Sequence, residues 1–118
     1  MQASEPITEE AATDRLTALG NRTRLRLYKL LIQAGPDGLN VGELGTRLAV
    51  PPSTLAHHLS ALTRAGLIRQ DRRGREVTSR ADYSAVNGLV MYLTDQCCVG
   101  FTGVTGKAAG PRATGNQT

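Results

Sequence analysis

The chain predicts a mainly α-helical domain with one small β-hairpin. Apolar residues recur at helical spacing over five segments, and a single pair of short β-prone runs interrupts them. Aromatic residues are few: Tyr28, Tyr83, Tyr92 and Phe101, with no Trp. The core must therefore be assembled from Leu, Val, Ile and Ala, which suits packed helices. At 118 residues the chain has room for one domain around one core.

Each element follows from its own residues. From Ile7 to about Leu19, the residues Ile7, Ala11, Ala12, Leu16 and Leu19 recur at helical spacing, and Gly20 ends the helix. Asn21 offers a cap for a second helix, Thr23 to Ala34, which is apolar over most of its circumference and so is expected to be buried. Gly35-Pro36-Asp37-Gly38 is a turn cluster, after which Asn40 caps a short helix through Val41, Leu44 and Leu48. Pro51 or Pro52 stands in the first turn of the next helix, which runs to about Ala65 with Leu55, Leu59 and Leu62 inward and is stopped by Gly66. Leu67 to Asp71 and Glu76 to Arg80 read as two strands around the tip Arg72-Arg73-Gly74-Arg75. Asp82 begins a last helix, with Tyr83, Val86, Leu89, Val90 and Leu93 on one face. Residues 1–98 are thus expected to form the folded domain. Val99 to Thr118, rich in Gly, Thr, Ala and Pro, is expected to be a disordered tail.

Charge is distributed unevenly. The net charge is +4, but residues 1–14 carry only acids (Glu5, Glu9, Glu10, Asp14), while twelve bases face four acids between residues 15 and 80. A basic block in a small domain points to a polyanionic partner, with duplex DNA ahead of RNA or a membrane surface. No stretch is long and apolar enough to span a bilayer. Met1 to Glu10 lacks the basic start and apolar run of a signal peptide, so a cytoplasmic protein is expected.

A short helix, a sharp turn, a second helix and a basic hairpin make a winged helix-turn-helix. The second helix of such a pair lies in the major groove, and the hairpin reaches flanking phosphates or the minor groove. With Leu55, Leu59 and Leu62 inward, Ser53, Thr54, His57, Ala61 and Arg64 face outward. The candidate DNA contacts are therefore Ser53, Thr54, His57 and Arg64 on the helix and Arg72, Arg73 and Arg75 on the hairpin. His58 is expected at the edge of the core, its ring bonded to backbone, and Tyr92 in core or interface.

These residues resemble a known family. Leu19-Gly20-Asn21-Arg22-Thr23-Arg24-Leu25-Arg26-Leu27 looks like the opening of the ArsR/SmtB repressors. Pro51 to Ile68, with His58-Leu59 and Ala65-Gly66-Leu67, resembles their recognition helix, and Arg73-Gly74-Arg75 resembles their wing. The resemblance covers about Leu16 to Leu93. It implies a homodimer joined through the first and last helices, an unliganded form bound to double-stranded operator DNA, and release when a metal or metalloid binds. The two best-known sensing sites of that family are missing. Where its Cys-x-Cys run would stand, this chain has Val41 and Glu43, and its last helix offers Asp82 and Asp95 but neither His nor Glu.

The remaining soft ligands are Cys97 and Cys98. Some members of the family carry a vicinal pair at the end of the last helix and respond to trivalent arsenic, and Leu93 to Cys98 resembles that pattern. Soft thiolates do select soft centres. Neighbouring side chains diverge by about 100° on a helix, so the sulfurs converge best where it frays. No resident cofactor is implied; trivalent arsenic, as arsenite or an organoarsenical, is the expected inducer. Two other readings stay open at this point. One is the same fold sensing redox state or another small molecule. The other is an arsenic-reducing thiol enzyme, which is disfavoured because there is no Cys-x-x-Cys, no base near the cysteines and no cofactor loop.

Overall fold

Caps set the beginning of nearly every helix in the structure, a computed structural model that describes residues 6–101. Helix α1 (Glu9–Leu19) opens with the Thr8 hydroxyl accepting from the Ala11 N–H, and α2 (Arg22–Ala34) opens with the Asn21 side chain accepting from the Arg24 N–H. Helix α3 (Val41–Leu48) has a reciprocal capping box: Asn40 accepts from the Glu43 N–H, and the Glu43 carboxylate accepts from the Asn40 N–H. Such a cap stabilises a short helix by about 1 kcal/mol. Helix α4 (Pro52–Arg64) places Pro52 in its first turn, where the missing N–H costs nothing. Helix α5 (Tyr83–Thr94) starts where Asp82 accepts from the Ser84 and Ala85 N–H groups.

The hairpin consists of β2 (Ile68–Arg73) and β3 (Glu76–Ala81), antiparallel and in register from Ile68 opposite Ala81 to Arg73 opposite Glu76. Gly74 and Arg75 alone make the turn. Gly74 has φ 62, so the first central residue carries the positive φ that matches strand twist. The tip is thus tighter than the sequence implies, and Arg72 and Arg73 stand on the strand. A third strand, β1 (Leu39–Asn40), pairs with β3 and gives the sheet order β1-β3-β2. Gly38 makes that pairing possible: a Cβ there would sit 2.2 Å from the Ser79 carbonyl oxygen.

The core joins α1 to α4, the sheet and α5. Leu27, Leu31, Leu44, Leu55, Leu62 and Leu67 are each almost completely excluded from solvent, and burial stabilises each by about 1.5–3 kcal/mol. One expectation needs correction. Helix α2 is only one-sided: Leu27, Tyr28 and Leu31 are buried while Leu25 is 47% exposed. Along helix α5 the apolar face read from the sequence divides between core and solvent. Ala85, Gly88 and Leu89 are buried and Val86 partly so, whereas Tyr83, Val90 and Leu93 are exposed. Small residues let α5 lie close to α1, where the Arg15 guanidinium donates to the Ala85 carbonyl at 2.9 Å. Among the described residues no helix is long and apolar enough to cross a membrane. Of the expected tail, Thr102 to Thr118 lies outside the described residues.

Candidate nucleic-acid interface and thiol pair

Helix α4 has two faces of opposite character. Leu55, Leu59 and Leu62 are buried against the rest of the domain, together with His58. Ser53, Thr54, His57 and Arg64 are exposed, and Ala61 lies partly buried at the border. The outward side chains are short or polar, and the Arg64 guanidinium is steadied by donating to the Ser60 hydroxyl at 2.7 Å. A helix that enters a groove needs such a face, because bulky apolar groups would desolvate base edges without pairing them.

The hairpin separates its charges along its length. At the base Arg69 pairs with Asp82, and at mid-strand Arg80 pairs with Asp71. Arg72, Arg73 and Arg75, near the tip, are exposed, and among the described residues none of them takes part in an ion pair. Neutralised charge at the base and unpaired charge at the end suit a contact to phosphate.

His58 departs from its expected role. The residue is 8% exposed, but its partner is a side chain: Arg24 Nη1 lies 3.2 Å from Nδ1. Arg24 carries protons only, so Nδ1 must be the acceptor and the ring proton sits on Nε2. Burial, then the charge of Arg24, then His57, hold the His58 pKa below the ordinary histidine value. Arg24 lies 34 residues from His58, and no local pattern in the sequence links them.

The thiols sit where the last helix has ended. Helix α5 stops at Thr94, and Cys97 and Cys98 follow in successive turns, the Cys97 N–H donating to the Thr94 carbonyl and the Val99 N–H to that of Gln96. Cys98 adopts the left-handed conformation, φ 63. That kink breaks the helical divergence of neighbouring side chains. The two sulfurs stand 3.2 Å apart, and both residues are exposed. The hydrogen bond with Cys98, the charge of Cys98 and slight burial raise the Cys97 pKa. The Cys97 thiol is therefore a weak nucleophile near pH 7. Among the described residues no cluster of three or more His, Cys, Asp and Glu is placed to hold a metal ion, so a site at the pair has two protein ligands from this chain. Val99 and Phe101 beside it are exposed, as are Val90, Met91 and Leu93 on α5 and Leu16 on α1.

Comparison with known proteins agrees with this geometry. A model of a helix-turn-helix domain matches residues 19–71. The chain is 38% identical over 85 residues to a protein of Halobacterium salinarum named as a candidate arsenical resistance operon repressor, ArsR; the match takes in 67% of this chain and 65% of that relative. It is 30% identical over 83 residues to the transcriptional activator HlyU of Vibrio cholerae, covering 70% of this chain and 74% of the relative. Among solved structures, an ArsR-like transcriptional regulator from Rhodococcus superposes with a TM-score of 0.65 at 29% identity, over 73% of this chain and 78% of that one. The homodimeric winged helix-turn-helix domain of Mb0332 from Mycobacterium bovis superposes with a TM-score of 0.59 at 26% identity, over 74% and 81% of the two chains.

Proposed function

The chain belongs to the ArsR-like family of winged helix-turn-helix transcriptional regulators, and from that premise we propose that it is a homodimeric repressor released from operator DNA by trivalent arsenic bound at Cys97 and Cys98. One observation carries the reading: two exposed thiols 3.2 Å apart at the end of α5, the helix whose outer face is apolar and unpartnered among the described residues. With thiolate bonds of the ~2.3 Å length made to a soft centre, that separation subtends nearly a right angle, which suits a pyramidal arsenic(III). A tetrahedral ion would spread the sulfurs further.

The exchange is balanced without an oxidant or reductant. Each thiol gives its proton to an arsenic-bound hydroxyl, two As–S bonds replace two As–O bonds, and two waters leave. A thiol with a raised pKa is no obstacle, because no free thiolate has to accumulate. The Mycobacterium bovis neighbour is homodimeric, and the exposed stripe of Leu16, Val90 and Leu93 supports the same arrangement here through α1 and α5. Ligand at the end of α5 then acts on the spacing of the two recognition helices, to the extent that it prefers one dimer shape over the other. In this reading Ser53, Thr54, His57 and Arg64 meet the major groove, and Arg72, Arg73 and Arg75 meet phosphate.

Counting sulfurs ranks the inducers. Inorganic arsenic(III) has three exchangeable positions, whereas a methyl- or phenyl-arsenic(III) species has two and keeps one carbon substituent. This chain holds two cysteines in all. The carbon substituent also gains about 0.8 kcal/mol per buried carbon against Val99 or Phe101. Mono-organoarsenic(III) is expected to displace the fully reduced protein from duplex DNA at a lower concentration than arsenite. Cys97→Ser and Cys98→Ser are expected to bind DNA as before and to ignore both. Equal potency of arsenite would overturn the ranking, and Ser variants that still respond would remove arsenic from the pair. Release by diamide alone would favour a redox sensor.

A further inference from the structure

Arg24 is held through two nitrogens of its guanidinium. Its Nε donates to the Ala18 carbonyl at 2.7 Å, and Nη1 donates to His58 Nδ1 at 3.2 Å. The first contact satisfies a carbonyl in the last turn of α1, a turn with no basic residue of its own, where the helix dipole favours a cation. The second grips the middle of α4. Arg24 thus ties the end of the helix with the exposed dimerisation stripe to the helix that faces DNA, and its backbone is pinned in turn by the Asn21 cap. Among the described residues this is the side-chain hydrogen bond that joins α4 to α2.

We propose that the Arg24–His58 hydrogen bond is a proton-sensitive clamp that positions the recognition helix on the α1–α2 elbow, so that a proton on His58 releases α4 and lowers affinity for duplex DNA. The inference rests on the DNA-binding reading above. Its chemistry follows from the donor inventory: Nδ1 can accept from a guanidinium only while it is unprotonated, and a second N–H would point donor at donor and charge at charge. The charged surroundings offer no substitute acceptor on α2. Arg24 faces the ring from α2. Asp14 of α1, with His57 and Arg64 of α4 itself, lines the neighbouring cleft of about 430 Å³ that Arg24 also borders. The elements α3 and β2 meet α4 with leucine and isoleucine, since Leu44, Leu48 and Ile68 are their buried side chains. Asp14 is the acid that lines this cleft.

The direction of the effect follows from where the proton is taken up. Burial and Arg24 keep the clamped ring neutral below the ordinary histidine value of 6.5, while a released ring takes its proton at about 6.5. The clamp is therefore intact above pH 6.5 and is lost as pH falls through the lowered pKa. At the midpoint about a quarter of dimers keep both clamps, which raises the apparent Kd about fourfold, and further acidification raises it further.

The test uses a duplex selected from a random-sequence pool by the full-length protein at pH 7.5. Its Kd is measured from pH 7.5 to 5.0 for the wild type and for His58→Asn, whose amide oxygen replaces Nδ1 as an acceptor that does not titrate. His57 is common to both proteins, so its contribution cancels in the ratio. The Kd of the wild type is expected to rise at least about fourfold more than that of the variant, with a midpoint matching the NMR titration of the His58 ring. Parallel pH profiles for two folded proteins would overturn the clamp alone. If His58→Asn does not fold, the wild type decides: an affinity midpoint that departs from the His58 titration overturns the proposal. Failure to select or bind any duplex at pH 7.5 would overturn the DNA-binding reading, and the clamp with it.

Discussion

Leu62 and Leu25 show how much a side chain's position matters beyond its chemistry. Both are leucines at helical spacing, yet Leu62 is 0% exposed and Leu25 is 47% exposed. Truncating Leu62 to alanine leaves a cavity in the cluster formed with Leu55, Leu59 and Leu67, and is expected to destabilise the fold by about 2–5 kcal/mol. Leu25→Ala is expected to change stability by less than about 1 kcal/mol. Urea unfolding of the two variants checks the pair, and a large destabilisation by Leu25→Ala would mean that Leu25 is covered in solution. At this scale the inward leucines of α4 are legible in the sequence, because Leu55, Leu59 and Leu62 recur at helical spacing. The partner of His58 is not legible, because a guanidinium from another helix leaves no mark on the residues around the histidine.

Among the elements, the hairpin and α4 divide the DNA contact between them in the proposed reading. Arg72, Arg73 and Arg75 stand near a tight turn with no ion pair of their own, so replacing all three with alanine is expected to weaken binding to every duplex. The slope of log K against log salt should flatten by up to about 0.9 for each phosphate that the variant no longer neutralises. Substitutions at Ser53 or His57 are expected instead to change which sequence is preferred, since in the proposed reading α4 turns them toward base edges. Salt titrations on two unrelated duplexes distinguish these effects, and an unchanged slope in the triple variant would remove the hairpin from the interface. The capped starts of α2, α3 and α5 depend on residues within one turn of each other, which is why the sequence shows them directly; the Thr8 cap of α1 is visible only in the structure. Strand β1 carries no such signal, because two residues show no alternation and its pairing with β3 depends on Gly38 admitting the Ser79 carbonyl.

For the whole molecule, the orientation of α5 decides what is left to assemble. It packs on α1 through Ala85, Gly88 and Leu89, and turns Val90 and Leu93 outward at 53% and 60% exposure. In the dimer reading these side chains occur twice across a two-fold axis, so each substitution is felt twice. Val90→Asp with Leu93→Asp is expected to leave the protomer folded and to raise the dimer dissociation constant by about tenfold or more, about 1.4 kcal/mol. Sedimentation equilibrium measures this directly. An unchanged constant would place the interface on another face, and with it the route from the thiols to the recognition helices.

Helix spacing, caps, the turn glycines and the basic hairpin were determined by the sequence alone, because each rests on interactions within about one turn of chain. So were the two-thiol limit at Cys97 and Cys98 and the outward set on α4. Tertiary structure decided which face of α5 is covered, which residues of α2 meet the core, and that Arg24 reaches His58. Those outcomes depend on how helices lie against one another, and a helix with apolar residues on two sides has two ways to pack. Even the approach of the sulfurs belongs to both: adjacency comes from the sequence, but the left-handed turn at Cys98 brings them to 3.2 Å.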